Sequence, residues 1–144
     1  MKTWSDTLSR SRNPGTDPGG AGSAAVPPVR TPAQARQLVR HTVAGLGPLW
    51  PSQVEDLLLV TSELVTNALR HAGGVTGFGI GVGRDRVTVS VSDASGELPL
   101  YQRREGLCPG GYGWPIVLRL CRDVTVDAGP EGKTVHATMA VDRR

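Results

Sequence analysis

The chain has 144 residues, 38% of them hydrophobic and 20% charged, with a formal net charge of +3. That composition suits one globular domain and is too short for two independent cores. The 16 basic residues are scattered and aromatics make up only 4%, so neither a phosphate-binding tract nor a base-stacking platform for nucleic acid is indicated.

Residues 1–25 carry small, polar and turn-forming side chains with almost nothing to bury, and a mobile tail is expected there, with the folded domain over 26–144. Thr31 before Pro32 reads as an N-cap with proline at the first helical position, and Ala35, Leu38, Val39 and Val43 recur at helical spacing, so a first helix should run to about Ala44 and stop near Gly45. A longer helix should follow Pro51, with Ser52 and Glu55 at capping-box spacing and an end at Gly73 or Gly74. On a helical wheel Val54, Leu58, Thr61, Val65, Ala68, Leu69 and Ala72 form the expected core arc, while Asp56, Glu63, Asn67 and Arg70 lie nearly opposite.

Two strands are expected at 76–82 and 86–93, joined by a turn at 83–85. Val87, Val89, Val91 and Asp93 alternate onto one face, which points a carboxylate toward the core, where it needs a partner. The aperiodic stretch 95–113 holds five glycines and two prolines, and a loop of that length is often a lid. Pro115 then suits the first turn of a short helix, and two further strands surround a turn at 129–132. The order of elements predicts an α+β protein, a two-layer α/β sandwich with a mixed, mostly antiparallel sheet and helices on one face.

Glu63 and Asn67 stand one helical turn apart and project side by side. They can be read as a solvated face, but Leu59, Val60 and Leu64 flank them, and Asn in a helix interior is less favourable than Ala by up to ~0.7 kcal/mol. An amide oxygen from Asn67 is a hard ligand of the kind Mg²⁺ accepts, and Glu63 beside it could orient or deprotonate an attacking hydroxyl. Arg70 lies within about 20° of Glu63 on the wheel and could pair with a phosphate oxygen, and His71 borders the same face. Either could equally be a surface cation at a helix C-terminus. Gly111 and Gly113 precede a helix N-terminus, where backbone N–H groups can cradle phosphate, although glycine before a helix also marks an ordinary loop.

This ordered set resembles the GHKL ATPase superfamily, which includes gyrase, Hsp90, histidine kinases and MutL. Its E-x-x-x-N helix is matched by SELVTNALRHA (62–72), its strand-end aspartate by VSVSDAS (89–95), and its glycines before a helix by GGYGWPIVLRL (110–120). SELVTNA, the SDAS stretch and the late GKTV (132–135) together resemble the small bacterial anti-sigma factor serine/threonine kinases, over roughly 26–141.

The resemblance implies a Bergerat-type ATP-binding fold, with ATP and Mg²⁺ as cofactors. Asn67 would hold Mg²⁺ on the phosphates and Glu63 would be catalytic. Asp93 would accept the adenine amino group. Gly111 and Gly113 would contact phosphate, with 99–110 as the ATP lid, and Arg70, His71 and Thr134 would complete the ATP-binding set. The implied activity is phosphorylation of a partner antagonist protein, with a sigma factor and/or an anti-sigma factor antagonist as partner; the alternative is a catalytically weak or inactive ATP-dependent interaction module controlling a transcription regulator. Neither nucleic acid nor membrane is expected as a direct partner, and a homodimer is left open.

Two departures stand out: the serine-bearing SDAS replaces the general D-x-G-x-G pattern, and Trp114 and Pro115 follow Gly113 where a leucine is common. No helical hairpin with a phosphoacceptor histidine precedes the domain, and His41 reads as a surface residue. Cys108 and Cys121 form neither a C-x-x-C pair nor a zinc pattern and read as structural thiols. No charged-then-apolar leader opens the chain and no apolar run approaches the roughly 20 residues of a membrane span, so a cytoplasmic location is expected.

Overall fold

The computed structural model describes residues 8–9, 28–71, 73–96 and 113–144. Thr31 caps the first helix, α1 (Pro32–Ala44), as its spacing predicts. The Thr31 hydroxyl accepts from the Gln34 backbone N–H while the Gln34 side chain accepts from the Thr31 N–H, a complete capping box. The second helix, α2 (Pro51–His71), begins differently from expectation. Its first residue is Pro51, and the Trp50 carbonyl accepts from the N–H groups of Gln53 and Val54, so Ser52 already lies inside the helix rather than capping it.

The remaining elements are a two-residue strand β1 (Leu8–Ser9), β2 (Gly77–Val82), β3 (Arg86–Asp93), α3 (Gly113–Leu120), β4 (Asp123–Gly129) and β5 (Gly132–Ala140). They form a mixed sheet in the order β1-β4-β5-β3-β2, with β1 parallel to β4 and every other pair antiparallel. Leu8–Ser9 thus lies in register with Val126 and Asp127, within a stretch that composition alone reads as tail. The architecture is the expected α+β sandwich.

Period-two alternation sends Val87, Val89 and Val91 of β3, Val124 and Val126 of β4, and Val135, Ala137 and Met139 of β5 into the core beneath the helices. The opposite face is polar, with Thr88 on Thr138, Ser90 on His136 and Ser92 on Thr134 in cross-strand pairs 2.7–2.8 Å apart. Helix α2 packs against α1, α3 and the sheet. Three neighbours bury more of it than the single predicted arc: Leu57, Val60 and Leu64 are in the core with Leu58, Thr61, Val65 and Ala68, whereas Leu69 is 43% exposed. Ala72 lies outside the described side chains. Full burial of a Leu or Val side chain stabilises by roughly 1.5–3 kcal/mol, so these positions dominate the cohesion of the helical layer.

The C-terminal segment ties the layers together. Asp142 and Gln53 exchange hydrogen bonds, Arg143 donates to the Leu46 carbonyl, and Arg144 sits 5.6 Å over the Trp50 ring.

The β4–β5 turn bears directly on the site. Gly132 has φ +135°, and a Cβ there would collide with the Asp93 carbonyl oxygen. Only glycine lets the turn close this tightly on the end of β3. Gly132→Ala is expected to destabilise the protein by about 1–3 kcal/mol, read as a lowered urea midpoint.

Candidate functional site

Glu63 and Asn67 project from α2 on a half-buried face. Burial pushes the Glu63 carboxyl above its ordinary range, and the charge of Arg70, about two turns on, pulls it part of the way back. A carboxylate with a raised pKa that still retains a cationic neighbour is suited to accept a proton from a hydroxyl near neutral pH. Asn67 sits one turn from it with its amide on the same side. Arg70 and His71 are both exposed at the C-terminal end of α2.

Asp93 ends β3 facing inward, as its phase predicts, and is only 5% exposed. Its partner is Lys133, directly opposite on β5. The Lys133 ammonium lies 2.9 Å from Oδ2 and donates to Oδ1 at 3.0 Å, and the Ser95 backbone N–H donates to Oδ1 at 2.9 Å. Sequence reasoning missed Lys133, although a signal was present: it shares phase with Val135, Ala137 and Met139, so a lysine stood at a core position of the same strand.

Thr134, one residue later, therefore faces the other way. Its Oγ1 lies 2.7 Å from Ser92 Oγ on the open face, because period two gives the inward position to Lys133. Thr134, Ser92 and Asp127 line a depression of about 340 Å³ together with Asp93, Lys133, Thr76 and the 129–132 turn; Glu63 and Asn67 do not. Among the described residues no hydrogen bond or ion pair links Glu63 or Asn67 to Asp93.

Gly113 opens α3, while Gly111, Cys108 and the lid at 99–110 lie outside the described residues. Trp114 is 6% exposed, so the indole that departs from the family pattern packs into the core. Cys121 is buried in the same core and His41 is exposed on α1.

As for metal, no cluster of three or more His, Cys, Asp or Glu side chains suited to hold an ion occurs among the described residues. The donor set of Asn67 with neighbouring Glu63 fits an ion such as Mg²⁺, which keeps several waters and shares its shell with phosphate rather than sitting in a protein cage. No helix among the described residues is long and apolar enough to cross a membrane.

Residues 29–139 match the model of the histidine kinase-like ATPase domain. The chain belongs to that family. A histidine kinase-like ATPase domain implies use of ATP, and the stretch matched runs from just before α1 to the last residues of β5. The chain is also similar to the serine-protein kinase RsbW of Bacillus licheniformis, at 27% identity, covering 74% of this chain and 78% of the relative.

Proposed function

We propose that this ATPase-family chain is a protein serine/threonine kinase that uses Mg²⁺-ATP to phosphorylate a partner antagonist protein, its partners being a sigma factor and/or an anti-sigma factor antagonist. The observation that carries the reading is the α2 face, where a glutamate with a raised pKa stands one turn from an asparagine in a chain of this family. The likeness to a serine-protein kinase supports the same chemistry.

Bound Mg²⁺-ATP would supply the transferable phosphoryl group and neutralise part of its charge. Asn67 would hold the metal through its amide oxygen. Glu63 would align the partner's hydroxyl and take its proton, and Arg70 would balance negative charge at that end of α2. Asp93 would face the purine, with Gly111 and Gly113 against the phosphates. The partner serine would gain a group carrying −1.5 to −2 charges, enough to abolish an interface by repulsion.

Incubation with Mg²⁺-ATP and candidate antagonists tests the reading: phosphoserine on one of them is the expected result, and none on any would refute it. Asn67→Ala should weaken nucleotide binding by about tenfold or more in the presence of Mg²⁺ and much less in EDTA, measured by calorimetry.

The second reading is an ATP-responsive interaction module without turnover, in which the same chain of the ATPase family binds nucleotide and Glu63 takes no proton. It predicts partner binding that depends on ATP and survives Glu63→Ala.

A further inference from the structure

The open face of the sheet carries a further cavity, at the end remote from Asp93. It measures about 470 Å³, within the roughly 300–1,000 Å³ of small-molecule sites, and is lined by Arg86, Thr88, Arg122, Asp123 and Thr138. Arg86 starts β3 and Asp93 ends it, so at about 3.3 Å per residue the two stand roughly 23 Å apart along the strand. The cavity is therefore separate from the proposed nucleotide site.

Its floor spans three strands. Thr88 on β3 stands opposite Thr138 on β5, which stands opposite Asp123 on β4, and the Arg122 backbone N–H donates to the Thr138 carbonyl at 2.8 Å. The Thr88 and Thr138 hydroxyls lie 2.8 Å apart; their mutual bond uses one of two hydrogens, which leaves the other free to donate to a ligand. Arg86 and Arg122 stand on the outer two of these strands, roughly 10 Å of backbone apart, a gap that two long side chains can close on one anion. Gly83 gives the Arg86 stem its place: a Cβ there would stand 3.1 Å from the Arg86 Cγ and 3.2 Å from its Nε.

Three charges line the cavity without a counter-charge. Among the described residues no ion pair reaches Arg86, Arg122 or Asp123, in contrast to Asp93 and Asp127. Two cations beside one anion are matched by the reverse pattern in a ligand, two negative charges and one positive. A phosphomonoester carries nearly two charges on three strong acceptor oxygens, enough for both guanidinium groups and the hydroxyl. A carboxylate has one charge and two oxygens, which a single guanidinium satisfies. An ammonium on the same molecule completes the match at Asp123.

We propose that this cavity binds a small phosphomonoester bearing an ammonium group, with its phosphate between Arg86 and Arg122 and its ammonium at Asp123.

The test is amide chemical-shift titration of the isotope-labelled full chain at low ionic strength, where exposed charges are least screened, with O-phosphoethanolamine, ethyl phosphate and ethanolamine as probes. Phosphoethanolamine should shift Thr88, Arg122 and Thr138 and bind about threefold more tightly than ethyl phosphate, while ethanolamine alone leaves them in place. Arg86→Gln and Arg122→Gln should each weaken phosphoethanolamine by about fivefold or more, and Asp123→Asn should abolish the preference over ethyl phosphate. All three side chains are exposed, so their replacement leaves the core intact. No shift at the cavity, equal affinity for ethyl phosphate in the wild type, or an affinity that either arginine variant leaves unchanged overturns the inference. Shifts at Asn67 and Asp93 in place of the cavity also overturn it, and none of these outcomes touches the kinase reading.

Discussion

Glu63→Ala is expected to lower phosphoryl transfer to a partner serine by about 10²–10⁴-fold while leaving nucleotide affinity nearly unchanged. The split follows from the geometry. Glu63 is half-buried on α2, one turn from the residue proposed to hold the metal, and its assigned work is on the attacking hydroxyl rather than on the nucleotide. Loss of a proton acceptor acts on the chemical step, whereas loss of Asn67 acts on binding. Single-turnover phosphorylation at saturating Mg²⁺-ATP, alongside a binding titration, separates the two; a rate retained in Glu63→Ala would remove Glu63 from the chemistry.

The same residue predicts a pH profile. Its carboxyl is raised from the usual value of 4.5, so the proton-accepting form is lost as pH falls through the raised value, and transfer should decline on that acidic limb. For stability the sign is opposite. Between 4.5 and the raised value the folded state binds more protons than the unfolded one, so stability falls as pH rises through that window. Glu63→Gln should flatten both dependences, measured by rate and by urea midpoint across the acidic range.

The largest effect on stability is expected at Asp93. Asp93→Ala leaves the Lys133 ammonium 5% exposed in its side chain and without its counter-charge. Breaking a buried ion pair by removing one partner costs about 3–5 kcal/mol. The double variant Asp93→Ala, Lys133→Met removes the stranded charge and should recover most of that loss, because an apolar pair of similar volume is often no less stable than the ions. Urea denaturation of the two single variants and the double variant measures the coupling. A single-variant loss under about 1 kcal/mol would mean that water reaches the pair and that Asp93 is not a buried anchor.

Much of this architecture is legible in the sequence, for identifiable reasons. β3 alternates cleanly between buried and less buried residues, so its bounds and facing follow from period two, whereas β2 shows no such alternation in burial. Thr31 and Pro32 mark the start of α1 because side-chain capping is local chemistry. The error at the start of α2 is also local: two capping-box spacings occur in the chain, and only Thr31 with Gln34 forms the reciprocal bonds.

What resisted reading depends on neighbours distant in sequence. The wheel of α2 cannot reveal that helices flank it as well as a sheet, which is why Leu57, Val60 and Leu64 are buried and Leu69 is not. Lys133 could be placed on the inward face of its strand, but its meeting with Asp93 requires β5 to lie beside β3 with β4 outside both, a topology that no local pattern encodes. The parallel pairing of Leu8–Ser9 with β4 is hidden for the same reason, since nothing in a polar, glycine-rich stretch announces a strand.

The central claim is that the acid and amide of α2 and the carboxylate at the end of β3 belong to one nucleotide site. Amide chemical-shift mapping of the isotope-labelled full chain during titration with Mg²⁺-ATP tests this most directly. Shifts at Asn67, Asp93 and Gly132 that saturate together at a single midpoint are the predicted result. Shifts confined to one of the two elements, or none at either, would contradict it.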